Sequence, residues 1–284
     1  MRRIGVNTWV WASPLDDATL AALAARVAAW GFDLLELPVE NTGDWDPARA
    51  AKVLGEHGIG ASVCLVMPPI GELAAANGLT VLATQDYLRR VVDVAAEVGA
   101  PAIAGPAYAS VGRTWRITPP ERAALYEELR ENLAPVAEHA RAAGVQIAVE
   151  PLNRYETSVL NTIGQTLEAI DGLDGVGVAI DTYHQNIEER HIGAALRAAR
   201  GRIAHVQVCG NDRGAPGGDH IDWPDVLSAL DDAGYDGPLC IESFTGENAS
   251  IATAASIWRP LAPSQDELAT DGLEFLREVL GGQG

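Results

Sequence analysis

Two carboxylates, Glu150 and Glu156, flank a loop-like segment that begins where an apolar run ends. The run, residues 145–149, is typical of a buried β-strand, and Pro151 stops it because proline has no N–H to donate to a sheet. Glu150 is therefore expected where a buried strand opens into a loop. A carboxylate in that position is a candidate for acid–base chemistry or for binding a cation.

Three other predicted strands end in the same way, at Asp181, Gln207 and Glu242. If the strands are parallel, these side chains converge with Glu150, and the three carboxylates repel one another unless a cation lies among them. Oxygen ligands of this kind suit Mg²⁺ or Mn²⁺. The alternative, in which each acid caps a helix or pairs with an arginine, explains a single acid better than the whole set. His205 shares a strand face with Gln207 and is an alternative ligand or a supporting partner.

Two further polar groups follow the predicted ligands in the chain. His184 lies three residues after Asp181, and Arg213 lies just beyond the strand of Gln207, before a loop rich in glycine and proline. A structural histidine and a surface arginine are the ordinary alternatives. The position of His184 favours a substrate contact, and that of Arg213 favours the rim of a shaped site.

Strand-like and helix-like segments alternate along the chain. Predicted strands cover residues 4–8, 34–37, 61–66, 102–104, 145–150, 176–181, 203–208 and 238–242, and glycine repeatedly joins a helix to the next strand. Near-continuous apolar strands between helices indicate a parallel sheet buried on both faces. Eight such units predict an α/β fold, a (β/α)₈ TIM barrel, with residues 1–284 in a single domain. Residues 244–263 form the main irregular insertion, on the face where such barrels carry their sites.

Composition limits the possible partners. The chain has 284 residues, 48% of them hydrophobic, and a formal charge of −19, which repels nucleic acid and anionic lipid. It has no apolar segment of the roughly 20 residues needed to span a membrane and no apolar leader-like start, so we expect a cytoplasmic protein. The three cysteines are predicted to be buried, reduced thiols.

These motifs together resemble the sugar isomerase/epimerase family built on the xylose-isomerase-like barrel, and in particular the ketose 3-epimerases of the tagatose/psicose type. The resemblance is carried by the segments 150–156, 181–189 and 242–244 and by the Arg213 loop. It implies that Glu150, Asp181 and Glu242 bind a metal, with Gln207 in the fourth position; Mn²⁺ is preferred, and Mg²⁺ or Co²⁺ are alternatives. It also implies a homodimer or homotetramer. The residues implied to contact the sugar are Glu156, His184, Arg213 and Phe244.

Gln207 departs from this pattern, because the epimerases usually carry histidine there, whereas hydroxypyruvate isomerases are similar to this chain in using glutamine. The expected activity is inversion of C3 of a free ketose, with Glu150 and Glu242 as the two catalytic acid–base groups. The alternative is a hydroxypyruvate or aldose–ketose isomerase. The same superfamily contains DNA-repair nucleases, but the negative charge and the six histidines argue against that function. A non-catalytic sugar-binding protein is the remaining class.

Overall fold

The computed structural model describes residues 2–282 and contains eight parallel strands that close into a barrel in chain order. β1 closes the barrel against β8, with Gly5 opposite Cys240. The predicted (β/α)₈ barrel is therefore confirmed. The strands are β1 Ile4–Asn7, β2 Leu34–Val39, β3 Gly60–Leu65, β4 Ala102–Gly105, β5 Gln146–Val149, β6 Val176–Asp181, β7 Ile203–Val208 and β8 Leu239–Ile241.

Helices connect the strands and begin at the polar caps that their sequences provide. Asp16 accepts the backbone N–H of Thr19, and Thr118 and Glu121 form a reciprocal capping box. No helix among residues 2–282 is both long and apolar enough to cross a membrane. The helices are α1 Asp17–Trp30, α2 Pro47–Glu56, α3 Gly78–Val98, α4 Pro119–Ala142, α5 Ile163–Ala169, α6 Thr182–Glu188, α7 Ile192–Ala198, α8 Trp223–Asp232, α9 Ala249–Ala254 and α10 Gln265–Gly281.

Some boundaries differ from those predicted. The first strand ends at Asn7 rather than Thr8, because the Asn7 side chain accepts the N–H of Trp9 and starts a 3₁₀ turn. The sequence did not predict α6, which begins directly at the end of β6 under the cap of Asp181. The insertion 244–263 is also not wholly irregular, because Asn248 caps the short helix α9 within it.

The interior of the barrel has two unlike halves. Small side chains fill one half, where Ala104, Ala148 and Ala179 form a buried cluster against Ala204. Hydrogen-bonded polar side chains fill the other half, around a fully buried Glu36. The outward faces of the strands pack their apolar side chains against the helices. The three cysteines are buried and free, as predicted.

A register shift between β6 and β7 aligns two of the predicted site residues, Asp181 and Gln207. Val178 pairs with Ile203, but the next residue, Ala179, pairs with His205, so one extra residue of β7 is accommodated. A bulge of this kind turns the side chains beyond it relative to the neighbouring strand. The result is that Asp181 and Gln207 lie directly opposite each other.

Gly105, at the end of β4, supports the neighbouring strand and tolerates no side chain. Its φ is +142°, and a Cβ would lie 2.7 Å from the carbonyl oxygen of Leu65. Its own carbonyl accepts the N–H of Glu150. We expect Gly105→Ala to lower the free energy of unfolding by about 1–3 kcal/mol. Denaturant unfolding measures this, with Gly112→Ala as the control, because Gly112 has a φ of +91° and open space around it. Equal losses in the two variants would contradict the steric explanation.

Candidate active site

A cavity of about 440 Å³ opens at the carboxyl ends of the strands. The structure brings almost all the predicted site residues to its wall. Asp181 is the exception: it is fully buried behind the wall and reaches the cavity only through its neighbours. The predicted site residues in the lining are Glu150, Glu156, His184, Gln207, Arg213, Glu242 and Phe244.

Arg213 lies at the centre of this arrangement and is 6% exposed, so it is not a surface arginine. Its Nη1 donates to Asp181 Oδ2 at 2.5 Å and to Glu242 Oε2 at 2.8 Å. Its guanidinium lies 4.0 Å from the ring centroid of Tyr183 and 5.1 Å from that of Phe244. The arginine therefore joins carboxylates from β6 and from the end of β8, while aromatic rings hold its plane.

The carboxyl groups of the site differ in acidity. Burial opposes the ionisation of Asp181, but the charge of Arg213 outweighs it and holds the pKa of Asp181 below its usual value. Burial, and next the charge of Asp181, raises the pKa of Glu150 well above its usual range. Burial also raises the pKa of Glu242 well above its usual range, although Arg213 opposes this. Two buried carboxyls with raised pKa values are suited to accept and return protons near neutral pH.

His184 is held in one orientation by a residue that the sequence analysis did not assign. The backbone N–H of Asn153 donates to His184 Nδ1 at 3.0 Å, which leaves Nε2 facing the site. Nε2 lies 3.5 Å from oxygens of both Glu150 and Asp181. The Asn153 amide also donates to Glu156 at 2.7 Å. Asn153 thus connects two predicted sugar contacts, and its position between Glu150 and Glu156 was the available clue.

Gln207 is held through its amide nitrogen. Nε2 donates to Glu242 Oε1 at 2.6 Å and to Glu36 Oε2 at 2.8 Å. Its oxygen, Oε1, is buried and has no hydrogen-bond partner among the described residues. Glu36 was not assigned from the sequence, although an acid within the apolar strand β2 is itself unusual.

Glu36 also holds the second candidate ligand of β7. Its Oε1 lies 2.5 Å from His205 Nε2 and accepts the hydroxyl of Ser62. Burial opposes the ionisation of Glu36, but His205, Gln207 and Ser62 offset this, and the pKa of Glu36 lies below its usual value. His205 therefore pairs with Glu36, and among the described residues it forms no hydrogen bond or ion pair with the predicted ligands Glu150, Asp181 and Glu242.

The donor atoms at the carboxyl end of the barrel fit a divalent cation. Potential ligand atoms of Glu150 and Asp181 lie within 4.8 Å of each other and of a His184 ring nitrogen. Because His184 Nδ1 accepts the N–H of Asn153, the neutral ring carries its proton on Nε2, and the carboxylates rather than His184 supply the ligand atoms. The partnerless Gln207 Oε1 adds a carbonyl-type oxygen that needs an electropositive neighbour. Oxygen-rich sets of this type suit Mg²⁺ and Mn²⁺. Glu150, Asp181, Gln207 and Glu242 could hold such an ion, and Arg213 would share Asp181 and Glu242 with it.

Apolar side chains form the opposite wall of the cavity. Trp9 stacks on Phe244, with ring centroids 5.3 Å apart, and both pack with Ile251 and Ile257 near α9. Glu40 accepts the indole N–H of Trp9 at 2.8 Å, and with Ser13 and Ser250 it supplies polar groups on this side. The site therefore combines a charged floor with an apolar wall, an arrangement that suits a small polyhydroxylated molecule with C–H faces.

Comparison with known proteins agrees with this geometry. Residues 24–279 match the model of the family described as xylose isomerase-like TIM barrel. A probable ketose 3-epimerase from Synechocystis sp. is 31% identical over 290 residues, covering 98% of this chain and 96% of the relative. An L-ribulose 3-epimerase from Mesorhizobium japonicum is 31% identical, covering 97% and 93%. A solved structure of an L-ribulose 3-epimerase superposes with a TM-score of 0.90 at 31% identity, covering 97% of this chain and 93% of that one.

The chain therefore belongs to the xylose isomerase-like TIM barrel family. Within that family it is an enzyme of the carbohydrate epimerase class, a class of isomerases, as its full-length relatives are.

Proposed function

We propose that the protein is a metal-dependent ketose 3-epimerase that reversibly inverts C3 of a free ketohexose or ketopentose. The observation that carries the proposal is the pair of buried carboxyls, Glu150 after β5 and Glu242 after β8, in the wall of one cavity. Both have raised pKa values. The names of the relatives, ketose 3-epimerase and L-ribulose 3-epimerase, support the same reaction.

Inversion of C3 requires a proton to leave one face of the carbon and another to arrive on the opposite face. The C3–H bond breaks as one carboxylate takes the proton, and the electron pair forms a cis-enediolate between C2 and C3. The second carboxyl then donates its proton to C3 from the other side. Glu150 and Glu242 fill these roles, and they exchange them in the reverse direction.

The remaining polar residues bind and orient the sugar. Arg213 offers a buried positive charge beside the oxygens on which negative charge develops. His184 and Glu156, which both accept hydrogen bonds from Asn153, bind hydroxyl groups near C1 to C3 in this proposal. Phe244 packs against the carbon skeleton. Glu150, Asp181, Gln207 and Glu242 would hold Mn²⁺, and such an ion would polarise the C2 carbonyl.

The charges around the cavity favour an unphosphorylated substrate. Among the described lining residues, Arg213 is the only arginine or lysine, and Asp181 and Glu242 already engage it. A phosphate group requires several free donors or cations. Glu40 on the apolar side adds a further negative charge. A neutral ketose meets no such repulsion.

Incubation with Mn²⁺ and a panel of ketoses in D₂O tests the proposal. We expect deuterium at C3 together with the appearance of the C3 epimer, and NMR spectroscopy measures both. Because the proton passes through a side chain that exchanges with solvent, each inversion should introduce one solvent deuteron. The absence of C3 label with every ketose would contradict the proposal.

The second candidate is a hydroxypyruvate or aldose–ketose isomerase of the same superfamily. The observation that favours it is Gln207 itself, which departs from the epimerase pattern. An isomerase moves a proton between adjacent carbons, so label at C1 or an aldose product in the same experiment would assign this reaction instead.

The resemblance of the sequence to the ketose 3-epimerases implies self-association, and we propose a homodimer or homotetramer of single-domain subunits.

A further inference from the structure

We infer that Glu36 is a positioning residue that turns the oxygen of the Gln207 amide toward the metal site. The inference rests on the proposed function, because it assigns a purpose to the fourth ligand of the proposed ion. It concerns the interior of the barrel beneath the site, since Glu36 is fully buried and does not line the cavity.

The orientation of the Gln207 amide follows from a series of hydrogen bonds that begins at the backbone N–H of Trp9. The N–H of Trp9 donates to Asn7 Oδ1, which fixes the Asn7 amide with its nitrogen pointing the other way. That nitrogen donates to Glu36 Oε2 at 2.8 Å. One terminal atom of the Gln207 amide lies 2.8 Å from the same carboxylate oxygen. Because that oxygen accepts hydrogen bonds, the Gln207 atom facing it must be the nitrogen, Nε2. Because an amide has its donor and acceptor on opposite sides, the Gln207 oxygen is forced away from Glu36.

The opposite orientation of the amide is disfavoured by charge. If the Gln207 amide were reversed, its oxygen would lie beside Glu36 Oε2 and Glu242 Oε1, at the 2.8 Å and 2.6 Å positions now held by the nitrogen. The Gln207 oxygen and Glu36 Oε2 would then be two acceptors in contact in a buried space without a proton between them, which is unfavourable. In the observed orientation, Gln207 Oε1 is the one polar side-chain atom of Asn7, Glu36, Gln207 and Glu242 that has no hydrogen-bond partner among the described residues. That single unmet acceptor is what an oxygen-binding cation would satisfy.

Hydrogen bonds to both carboxylate oxygens hold the Glu36 side chain in one orientation. It is fully buried, and its second oxygen engages Ser62 at 2.8 Å and His205 at 2.5 Å. A metal-binding histidine is often oriented by a carboxylate that accepts its other N–H. Glu36 and Gln207 reproduce that arrangement with an amide in place of an imidazole, so the ligand that results is an oxygen rather than a nitrogen.

Glu36→Met tests the inference, because it keeps the approximate length of the side chain and removes both acceptor oxygens, whereas glutamine could still offer an amide oxygen to Asn7 and Gln207. Metal-free protein is titrated with Mn²⁺ in the absence of sugar, and free Mn²⁺ is followed by electron paramagnetic resonance. We expect binding to weaken by about 10- to 100-fold. The matched control is Glu72→Met at another buried glutamate, which contacts Ser110 and Arg113 outside the cavity lining. It should bind Mn²⁺ as the wild type does.

A double-mutant cycle separates positioning from a general structural effect. Gln207→Leu removes the ligand, so adding Glu36→Met to it should weaken Mn²⁺ binding no further if Glu36 acts through Gln207. Additive losses would overturn the inference, and so would unchanged binding in Glu36→Met. If Glu36→Met does not fold, Glu36→Asp replaces it. The shorter carboxylate keeps the charge but withdraws from Gln207, so it should also weaken Mn²⁺ binding.

Wild-type measurements distinguish this inference from the proposed function. A wild-type protein that binds Mn²⁺ and epimerises a ketose, together with a Glu36→Met variant of unchanged affinity, overturns the positioning role alone. A wild-type protein that binds no divalent ion overturns both the metal site and the positioning role.

Discussion

Glu150→Gln and Glu242→Gln are each expected to abolish epimerisation, with losses of roughly 10²- to 10⁴-fold or more, as expected for removal of a general acid–base group. Each variant should nevertheless retain the removal and return of a proton on one face of C3. With one carboxylate left, a proton can leave C3 and a solvent deuteron can return on the same face. We therefore expect each variant to exchange deuterium into one epimer without inverting it, and the two variants to act on opposite epimers. NMR of the recovered sugars in D₂O measures both quantities.

Two controls make this result specific. Glu72→Gln replaces another buried glutamate outside the cavity lining and should leave epimerisation unchanged. Because Glu150 and Glu242 are also proposed ligands, the metal content of each variant must be measured beside its rate. Epimerisation that survives in either metal-loaded variant would defeat the two-base scheme.

Arg213→Met is expected to produce the largest loss of stability in the metal-free protein. The substitution leaves Asp181 and Glu242 buried without their cation, and breaking a buried ion pair from one side costs about 3–5 kcal/mol. Denaturant unfolding at neutral pH measures the loss, and saturating Mn²⁺ should recover part of it. The exposed pair of Arg259 and Asp212 provides the control, since Arg259→Met should cost no more than about 1 kcal/mol.

The stability loss in Arg213→Met should depend on pH in a definite direction. Arg213 holds the pKa of Asp181 below its usual value of 3.8, so the ion pair stabilises the fold at higher pH and this contribution is lost as the pH falls through the lowered pKa. The difference between variant and wild type should therefore be largest near neutral pH and should narrow as the pH falls through the acidic range toward the lowered pKa of Asp181. A difference that stays constant into this acidic range would contradict the assignment to Asp181.

The sequence predicted the parts of this protein that depend on local pattern. Apolar runs closed by Pro151 or followed by glycine-bounded helices predicted the strands, and parallel strands bring their carboxyl ends together whatever the details of packing. The convergence of Glu150, Gln207 and Glu242 follows from that rule alone. The order of the strands around the barrel followed for the same reason.

Features that depend on long-range contacts were not predicted. Glu36 contacts His205 and Gln207 across the barrel, and such partners leave no trace in local spacing. The bulge that aligns Asp181 with Gln207 exists only in the pairing of two strands. The short helices α6 and α9 lack the repeated apolar periodicity that identifies longer ones, although polar caps begin both.

The alanine cluster inside the barrel limits the substitutions that this enzyme can accept during evolution or protein engineering. Ala148 and Ala179 lie two residues before Glu150 and Asp181, so each is the next inward-facing side chain below an acid. Barrel interiors are usually filled with bulky branched residues, and enlarging a packed interior shifts the backbone. Any larger side chain here would push apart the strands that carry the acids. Mutant libraries that seek new sugars should therefore vary the aromatic wall near α9 and keep the alanines fixed.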